Sequence, residues 1–157
     1  MTQSTTTQAP LVLITGASSG IGQALALHYA QAGWRLALLV RKEAETKKWL
    51  DACQIGPSGY QIYLADVADV QATQAACRAV FSQQGLPDVV IANAGISVGM
   101  DTSDPADIQV MTQTFATNNV GMAATFQPFV AHMVARGRGT LVGVASVAAI
   151  RGLPGHG

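Results

Sequence analysis

The sequence predicts an α/β fold in which a doubly wound parallel sheet carries helices on both faces. Short apolar runs alternate with helix-like segments from residue 11 onward, and a glycine-rich turn joins the first strand directly to the first helix. Hydrophobic residues make up 49% of the chain and charged residues only 11%, which suits strands buried on both faces. Five strands linked by right-handed crossovers are expected in the order 3-2-1-4-5.

Hydrophobic periodicity predicts three strands and three helices in the first half of the chain. Gly33 precedes the second strand, and the breaker cluster at 56–59 precedes the third. Asp69 is a suitable N-cap for the third helix. The predicted elements are a strand at 11–15, a helix at about 20–32, a strand at 35–40, a helix at 43–54, a strand at 60–64 and a helix from 69 to about 83.

The second half is predicted to contain two strands separated by a long helical segment. Asp104 and Pro105 begin this segment, as N-cap and first-turn proline. Pro128 inside it is expected to kink or interrupt the helix, because proline lacks a backbone N–H. The predicted elements are a strand at 88–92, a helical segment from 104 to about 135 and a strand at 140–145.

Composition excludes several classes of function. Nine basic and nine acidic side chains leave a formal net charge of zero, so nothing favours a nucleic-acid partner or a charged membrane surface. The longest apolar run, Leu36 to Val40, is far shorter than the roughly 18 residues of a membrane span. Cys53 and Cys77 have no C-x-x-C spacing and the histidines are scattered, so no metal site is expected. With no signal-peptide pattern, we expect a cytoplasmic protein.

The turn after the first strand is the strongest functional signal. It is Thr15-Gly16-Ala17-Ser18-Ser19-Gly20-Ile21-Gly22. Gly16 permits a tight turn, Gly20 permits close approach of a pyrophosphate, and Gly22 lets the helix pack near the strand. The helix start adds unpaired N–H groups and partial positive charge. An ordinary strand-to-helix turn is the alternative, but this spacing favours a phosphate site. The candidate residues are Gly16, Ser18, Ser19, Gly20, Ile21 and Gly22.

This T-G-x-x-x-G-x-G spacing resembles the cofactor signature of the short-chain dehydrogenase/reductase family. Further family motifs follow in order: Asp66-Val67, Asn93-Ala94-Gly95, the N-x-x-G segment that starts at Asn118, and Ser146 after the fifth strand. The resemblance covers residues 11–157. It implies a Rossmann fold that binds NAD or NADP and transfers hydride between nicotinamide and a small carbonyl or alcohol substrate.

The resemblance also implies roles for these residues. Asp66 would accept a hydrogen bond from the adenine amine. Asn93 would help to hold the central sheet, while the small residues after it leave room for the cofactor. Asn118 and Ser146 would be catalytic, the first through a water linked to a lysine and the second through the substrate carbonyl. By residue chemistry alone, Asp66 could equally cap a turn, and Asn118 could lie on the surface or at a local kink.

Cofactor preference is expected at the end of the second strand. Val40 stands where NAD-preferring relatives carry an acidic residue, and Arg41 and Lys42 follow it. A guanidinium binds a 2′-phosphate through charge-assisted hydrogen bonds, so NADP is favoured over NAD. Two observations point the other way. Ser19 stands where many NADP-dependent relatives place a second basic residue, and the Arg41-Lys42 pair could be a solvated loop.

Residues 1–157 lack the family's Y-x-x-x-K acid/base motif, which in relatives begins about two residues past the position of Gly157. Because of this missing motif, we expect an incomplete Rossmann domain at 11–157. We also expect a flexible leader at 1–10. The 157-residue chain alone should be inactive, and the complete protein should be a homo-oligomer.

One alternative is a non-catalytic dinucleotide-binding module. Another is a methyltransferase of the related fold, against which Val40 argues.

Overall fold

The computed structural model describes residues 8–152 and 154–155, and the strands among them form one parallel sheet. The regular elements are β1 Leu11–Thr15, α1 Gly20–Gln31, β2 Arg35–Val40, α2 Glu43–Ala52, β3 Tyr60–Leu64, α3 Val70–Gln84, β4 Val89–Ala92, α4 Ile108–Phe115, α5 Gly121–Arg136 and β5 Thr140–Gly143. The sheet order is β3-β2-β1-β4-β5. This confirms the α/β class and the strand order expected from the sequence.

The central strand β1 is buried on both faces of the sheet. Leu11 and Leu13 pack on one face with α3 and α5, where Phe129 is also fully buried. Val12 and Ile14 pack on the other face with α1 and α2. Full burial of a side chain of this size contributes roughly 1.5–3 kcal/mol relative to exposure. Both faces therefore stabilise β1 and fix its register against its neighbours.

The parallel register brings the carboxyl ends of the strands to one edge of the sheet. Thr15 pairs with Leu39 of β2, while Val40 pairs with Leu64 of β3. Ala92 ends β4 beside Gly143 of β5. The loops that follow β1, β2, β3 and β4 therefore start from neighbouring points, where α/β sheets bind their ligands.

The long helical segment does not break where the sequence suggested. Pro128 lies inside helix α5, which continues from Gly121 to Arg136, so the expected interruption at this residue was wrong. Phe129 and Met133 are buried beside it in the α3 side of the core, and this packing holds the helix through the missing hydrogen bond. The interruption lies at 116–120, which adopt a π-helical turn between α4 and α5. Asp104 caps a separate 3₁₀ turn ahead of α4.

Other boundaries differ by one or two residues from the predictions. Strand β5 ends at Gly143 rather than Ala145, although the Val144 amide still donates to the Ala92 carbonyl at 3.0 Å. Helix α2 ends at Ala52. The N-cap expected at Asp69 is present, since its carboxylate accepts from the Ala72 amide at 2.9 Å. The predicted leader falls mostly on residues 1–7, which lie outside the described residues.

Strand β5 is the edge of the sheet within the described part of the chain. Its apolar residues Leu141 and Val142 are 40% and 37% exposed. Among the described residues, no helix has the length and hydropathy needed to cross a bilayer, and no three His, Cys, Asp or Glu side chains gather into a metal site.

Candidate functional site

A cleft of about 320 Å³ lies at the carboxyl ends of β1, β2, β3 and β4. All the cofactor-binding residues predicted from the sequence, except Gly22 and Lys42, line it. The lining residues are Gly16, Ser18, Ser19, Gly20, Ile21, Leu39, Val40, Arg41, Ala65, Asp66, Val67, Asn93, Ala94, Gly95, Ile96 and Thr117. The loop after β5, which carries the predicted catalytic residue Ser146, is not in the lining.

The glycine-rich turn has the geometry of a close-fitting cradle. Gly16 has a φ of +70°, and a Cβ there would lie 2.9 Å from the Ala94 Cα, so only glycine fits. A Cβ on Gly22 would lie 2.6 Å from Asn93 Nδ2, so this position behind the cleft also requires glycine. Gly20 has a φ of +55°, and a Cβ there would meet no protein atom within 4 Å. Because Gly20 lines the cleft, that open space is available to a ligand.

The start of helix α1 carries no acidic side chain that would compete with a bound phosphate. Ser19 is the N-cap in an extended conformation, with φ −160° and ψ 169°, and its side chain makes no capping hydrogen bond. The first turn of α1 contains no acidic residue. The first N–H groups of a helix have no intrahelical partner and carry partial positive charge. The turn is therefore suited to a phosphate group.

Thr15 and Asn93 join the tips of β1 and β4 behind this turn. The Thr15 hydroxyl, 1% exposed, accepts from the backbone amides of Asn93 and Ala94, each at 3.0 Å. The Asn93 side-chain amide donates to the Thr15 carbonyl at 3.0 Å. These bonds fix the loop that borders the cleft. The sequence analysis placed Thr15 in the glycine-rich turn but did not predict this role of its hydroxyl, although a hydroxyl that ends an apolar strand next to glycine was a usable signal.

The opposite end of the cleft carries one cation and one carboxylate. Arg41 Nη1 lies 3.3 Å from Asp66 Oδ2, and Asp66 Oδ1 accepts from the Ala68 amide at 3.0 Å. The Lys42 ammonium bonds Glu45 Oε1 at 2.9 Å instead, because the two side chains are three residues apart at the start of α2. Of the basic pair predicted from the sequence, only Arg41 lines the cleft.

The two predicted catalytic residues lie outside the lining of the cleft. Asn118 sits in the π-helical turn, where its Nδ2 donates to the Ile96 carbonyl and its Oδ1 accepts from the Ile96 amide, both at 2.8 Å. The Ser146 hydroxyl accepts from the Ala148 amide at 3.2 Å. Asn118 thus anchors the loop after β4, and its water-binding role remains a prediction.

The glycine of the N-x-x-G motif has a packing role that sequence reasoning missed. A Cβ on Gly121 would lie 2.7 Å from the Val67 carbonyl oxygen. The start of α5 therefore contacts the loop after β3 directly, and a larger residue would push the two apart.

The described groups whose pKa is raised by burial contribute no proton donor to the cleft. Burial raises the pKa of the Cys77 thiol to about 12. Burial also raises the pKa of Tyr63, whose hydroxyl accepts from the Gln84 side chain at 3.2 Å. Both residues belong to the core under α3. The cleft offers backbone amides, hydroxyls and a guanidinium, which are groups that bind a phosphorylated ligand.

Comparison with known proteins matches this fold and motif order to one family. The family model for short chain dehydrogenases matches residues 10–157. The chain belongs to the short-chain dehydrogenase family.

The chain is also similar to individual curated proteins. The chain is 37% identical over 144 residues to an uncharacterized oxidoreductase of Myxococcus xanthus, covering 92% of this chain and 56% of the relative. It is 35% identical to D-threitol dehydrogenase of Mycolicibacterium smegmatis, with coverages of 93% and 56%. The chain therefore spans about half the length of the curated relatives it matches.

Solved structures show the same fold. A short-chain dehydrogenase from Streptomyces avermitilis superimposes with a TM-score of 0.86 at 24% identity, covering 96% of this chain and 54% of that one. A variant of actinorhodin polyketide ketoreductase, solved with NADPH, gives a TM-score of 0.85 at 27% identity, with coverages of 94% and 57%. Rossmann topology is common to this chain and its structural neighbours.

Proposed function

We propose that this short-chain dehydrogenase binds a nicotinamide dinucleotide in the cleft, with NADP preferred over NAD. We further propose that the complete protein transfers hydride between the nicotinamide and a small carbonyl or alcohol substrate. The observation that carries the proposal is the glycine cradle, in which Gly16 and Gly22 are sterically required while the space before Gly20 is open. The bound dinucleotide would supply or accept the hydride.

The residues of the cleft fit the parts of a dinucleotide. The turn from Gly16 to Gly22 suits the pyrophosphate, because the first N–H groups of α1 have no acidic neighbour in that turn. Asp66 and Val67 would hold the adenine, in keeping with the family resemblance. The small residues Ala94 and Gly95 leave room beside β4 for the nicotinamide ribose. Each of these segments lines the same cleft.

The preference for NADP rests on Val40 and Arg41. Val40 is 2% exposed, and it brings no carboxylate to the end of β2 that would repel a 2′-phosphate. Arg41 lines the cleft and is 65% exposed, so its guanidinium is accessible to an anion. The ketoreductase relative with NADPH supports this choice by analogy. Lys42 is held by Glu45 outside the lining, so a supporting role for its charge requires the ammonium to leave that partner.

We assign the reaction on the substrate to Ser146 and to the Y-x-x-x-K pair of the complete protein. Ser146 would hydrogen-bond the substrate carbonyl, and Asn118 would support a water chain near it. Tyr29, Tyr60 and Tyr63 are not followed by lysine four residues later, so none of them supplies the Y-x-x-x-K pair. We propose that this pair belongs to the part of the complete protein outside residues 1–157, that the complete protein is homo-oligomeric and cytoplasmic, and that residues 11–157 form part of its dinucleotide-binding domain.

The test compares Ser146→Ala with the wild type in the complete gene product. Loss of one hydrogen-bond donor to the reacting oxygen is expected to lower kcat for ketone reduction by roughly 10²–10³-fold, while the Kd for NADP changes less than twofold. An unchanged kcat would remove Ser146 from the reaction.

A parallel assay uses the 157-residue chain by itself. It should bind NADP without turnover, because a missing general acid alone costs about 10²–10⁴-fold. Turnover by a sample of verified mass would contradict the placement of the acid/base pair. If the complete gene product binds NADP tightly but reduces no ketone or aldehyde, the alternative of a non-catalytic binding module is correct.

A further inference from the structure

The one cation in the described lining of the cleft is already paired with a carboxylate. Arg41 Nη1 lies 3.3 Å from Asp66 Oδ2, and the two side chains are 65% and 47% exposed. Both residues line the cleft, and they lie just beyond the paired strand ends Val40 and Leu64. A ligand that approaches Arg41 therefore meets a guanidinium that already has an anionic partner.

The carboxylate of Asp66 is held in place by its own loop. Its Oδ1 accepts from the Ala68 amide at 3.0 Å, and its carbonyl accepts from the Thr73 hydroxyl at 3.1 Å and from the Asp69 amide at 2.9 Å. With one oxygen fixed in this way, the other remains directed at Arg41. Asp66 is thus a firm anchor, while Arg41 ends a long and exposed side chain that can rearrange.

We infer that Asp66 limits the preference for NADP by competing with the 2′-phosphate for Arg41, and is thus a specificity-determining residue that acts through its neighbour. The inference rests on the proposed function of the cleft. A guanidinium has five N–H donors, so it can contact both anions, but the phosphate carries about two negative charges at neutral pH and sits near a fixed carboxylate. NAD has no 2′-phosphate and does not experience this competition.

The size of the effect follows from the exposure of the pair. Ion pairs between exposed side chains shift an equilibrium by up to roughly fivefold. Release of Arg41, together with removal of carboxylate–phosphate repulsion, should therefore raise the NADP preference by about three- to tenfold. The effect should shrink at high ionic strength, because salt screens interactions between exposed charges.

The experiment measures Kd for NADP and for NAD by calorimetry in the complete gene product. Asp66→Asn removes the charge and keeps an oxygen for the Ala68 amide, and Asp66→Ser is a second variant that can keep the same local bond. Loss of any contact with adenine affects both dinucleotides equally, so it cancels in the ratio of the two constants. Asp51→Asn is the matched control, since Asp51 is exposed on α2 and outside the cleft lining.

The ratio of Kd for NAD to Kd for NADP should rise three- to tenfold in Asp66→Asn and Asp66→Ser, and change less than 1.5-fold in Asp51→Asn. In an Arg41→Gln background only the carboxylate–phosphate repulsion is left to remove, so the same substitutions should raise the ratio less than they do beside Arg41. An unchanged or lowered ratio in Asp66→Asn would overturn the inference, and so would an equal rise in the Arg41→Gln background. Failure of folded wild-type protein to bind either dinucleotide would instead overturn the proposed function, and the inference with it.

Discussion

Replacing Thr15 by valine should weaken both the fold and the cleft, because the hydroxyl holds two backbone amides. Thr15 is 1% exposed and accepts from the amides of Asn93 and Ala94 at 3.0 Å each. Valine has nearly the same shape and no acceptor. A buried amide without a partner costs about 1–3 kcal/mol. Since Asn93 and Ala94 are only half-buried, the lower value applies to each, and the loss should be about 2 kcal/mol.

Urea unfolding followed by circular dichroism measures this loss, and Thr15→Ser is the matched control. Serine keeps the acceptor and loses one buried methyl group, which costs about 1 kcal/mol. Thr15→Val should therefore be the less stable variant and should also bind dinucleotide more weakly, because the loop beside Ala94 is released. If Thr15→Val is as stable as Thr15→Ser, the hydroxyl does not hold the tip of β4.

Three further outcomes are expected. Val40→Asp should move the ratio of dissociation constants toward NAD by roughly fivefold or more, since unit charges at 4 Å repel by about 1 kcal/mol even in water; an equal shift in the neutral Val40→Asn would contradict the electrostatic reasoning. The isolated 157-residue chain should associate through edge strand β5, where Leu141 and Val142 are exposed, and a monodisperse monomer at high concentration in sedimentation velocity would argue against it. Maleimide at neutral pH should leave Cys77 unmodified in the folded chain, because its pKa is about 12; rapid modification would show that the core opens.

Patterns of neighbouring residues in the sequence were sufficient to predict the strands of the sheet and the glycine-rich turn. The apolar runs and the breakers between them located β1 to β5 along the chain, and the rules for doubly wound sheets supplied their order in the sheet. The glycine spacing located the turn at the carboxyl end of β1. The salt bridge from Lys42 to Glu45 was also accessible from the sequence, because residues three apart at the start of a helix are neighbours.

The remaining features depend on contacts between distant residues. The π-helical turn at 116–120 contains Asn118, whose side chain bonds the backbone of Ile96, a residue 22 positions away. Likewise, Pro128 does not break α5, because burial of Phe129 against the sheet outweighs a local preference. The steric requirement for glycine at 121 appears only when Val67 is placed against it. These contacts between distant residues cannot be predicted from the hydrophobic periodicity of the sequence.

The most direct test of the cleft as a dinucleotide site is a calorimetric titration of NADP into the wild type, Gly20→Val and Gly33→Val. Both glycines have positive φ, +55° and +80°, and a Cβ at either would meet no protein atom within 4 Å. The two substitutions therefore impose similar backbone strain, but only Gly20 lines the cleft. We predict saturable binding to the wild type and to Gly33→Val, with at least a tenfold loss of affinity in folded Gly20→Val. Equal affinity in the two variants, or no binding by the folded wild type, would contradict the account.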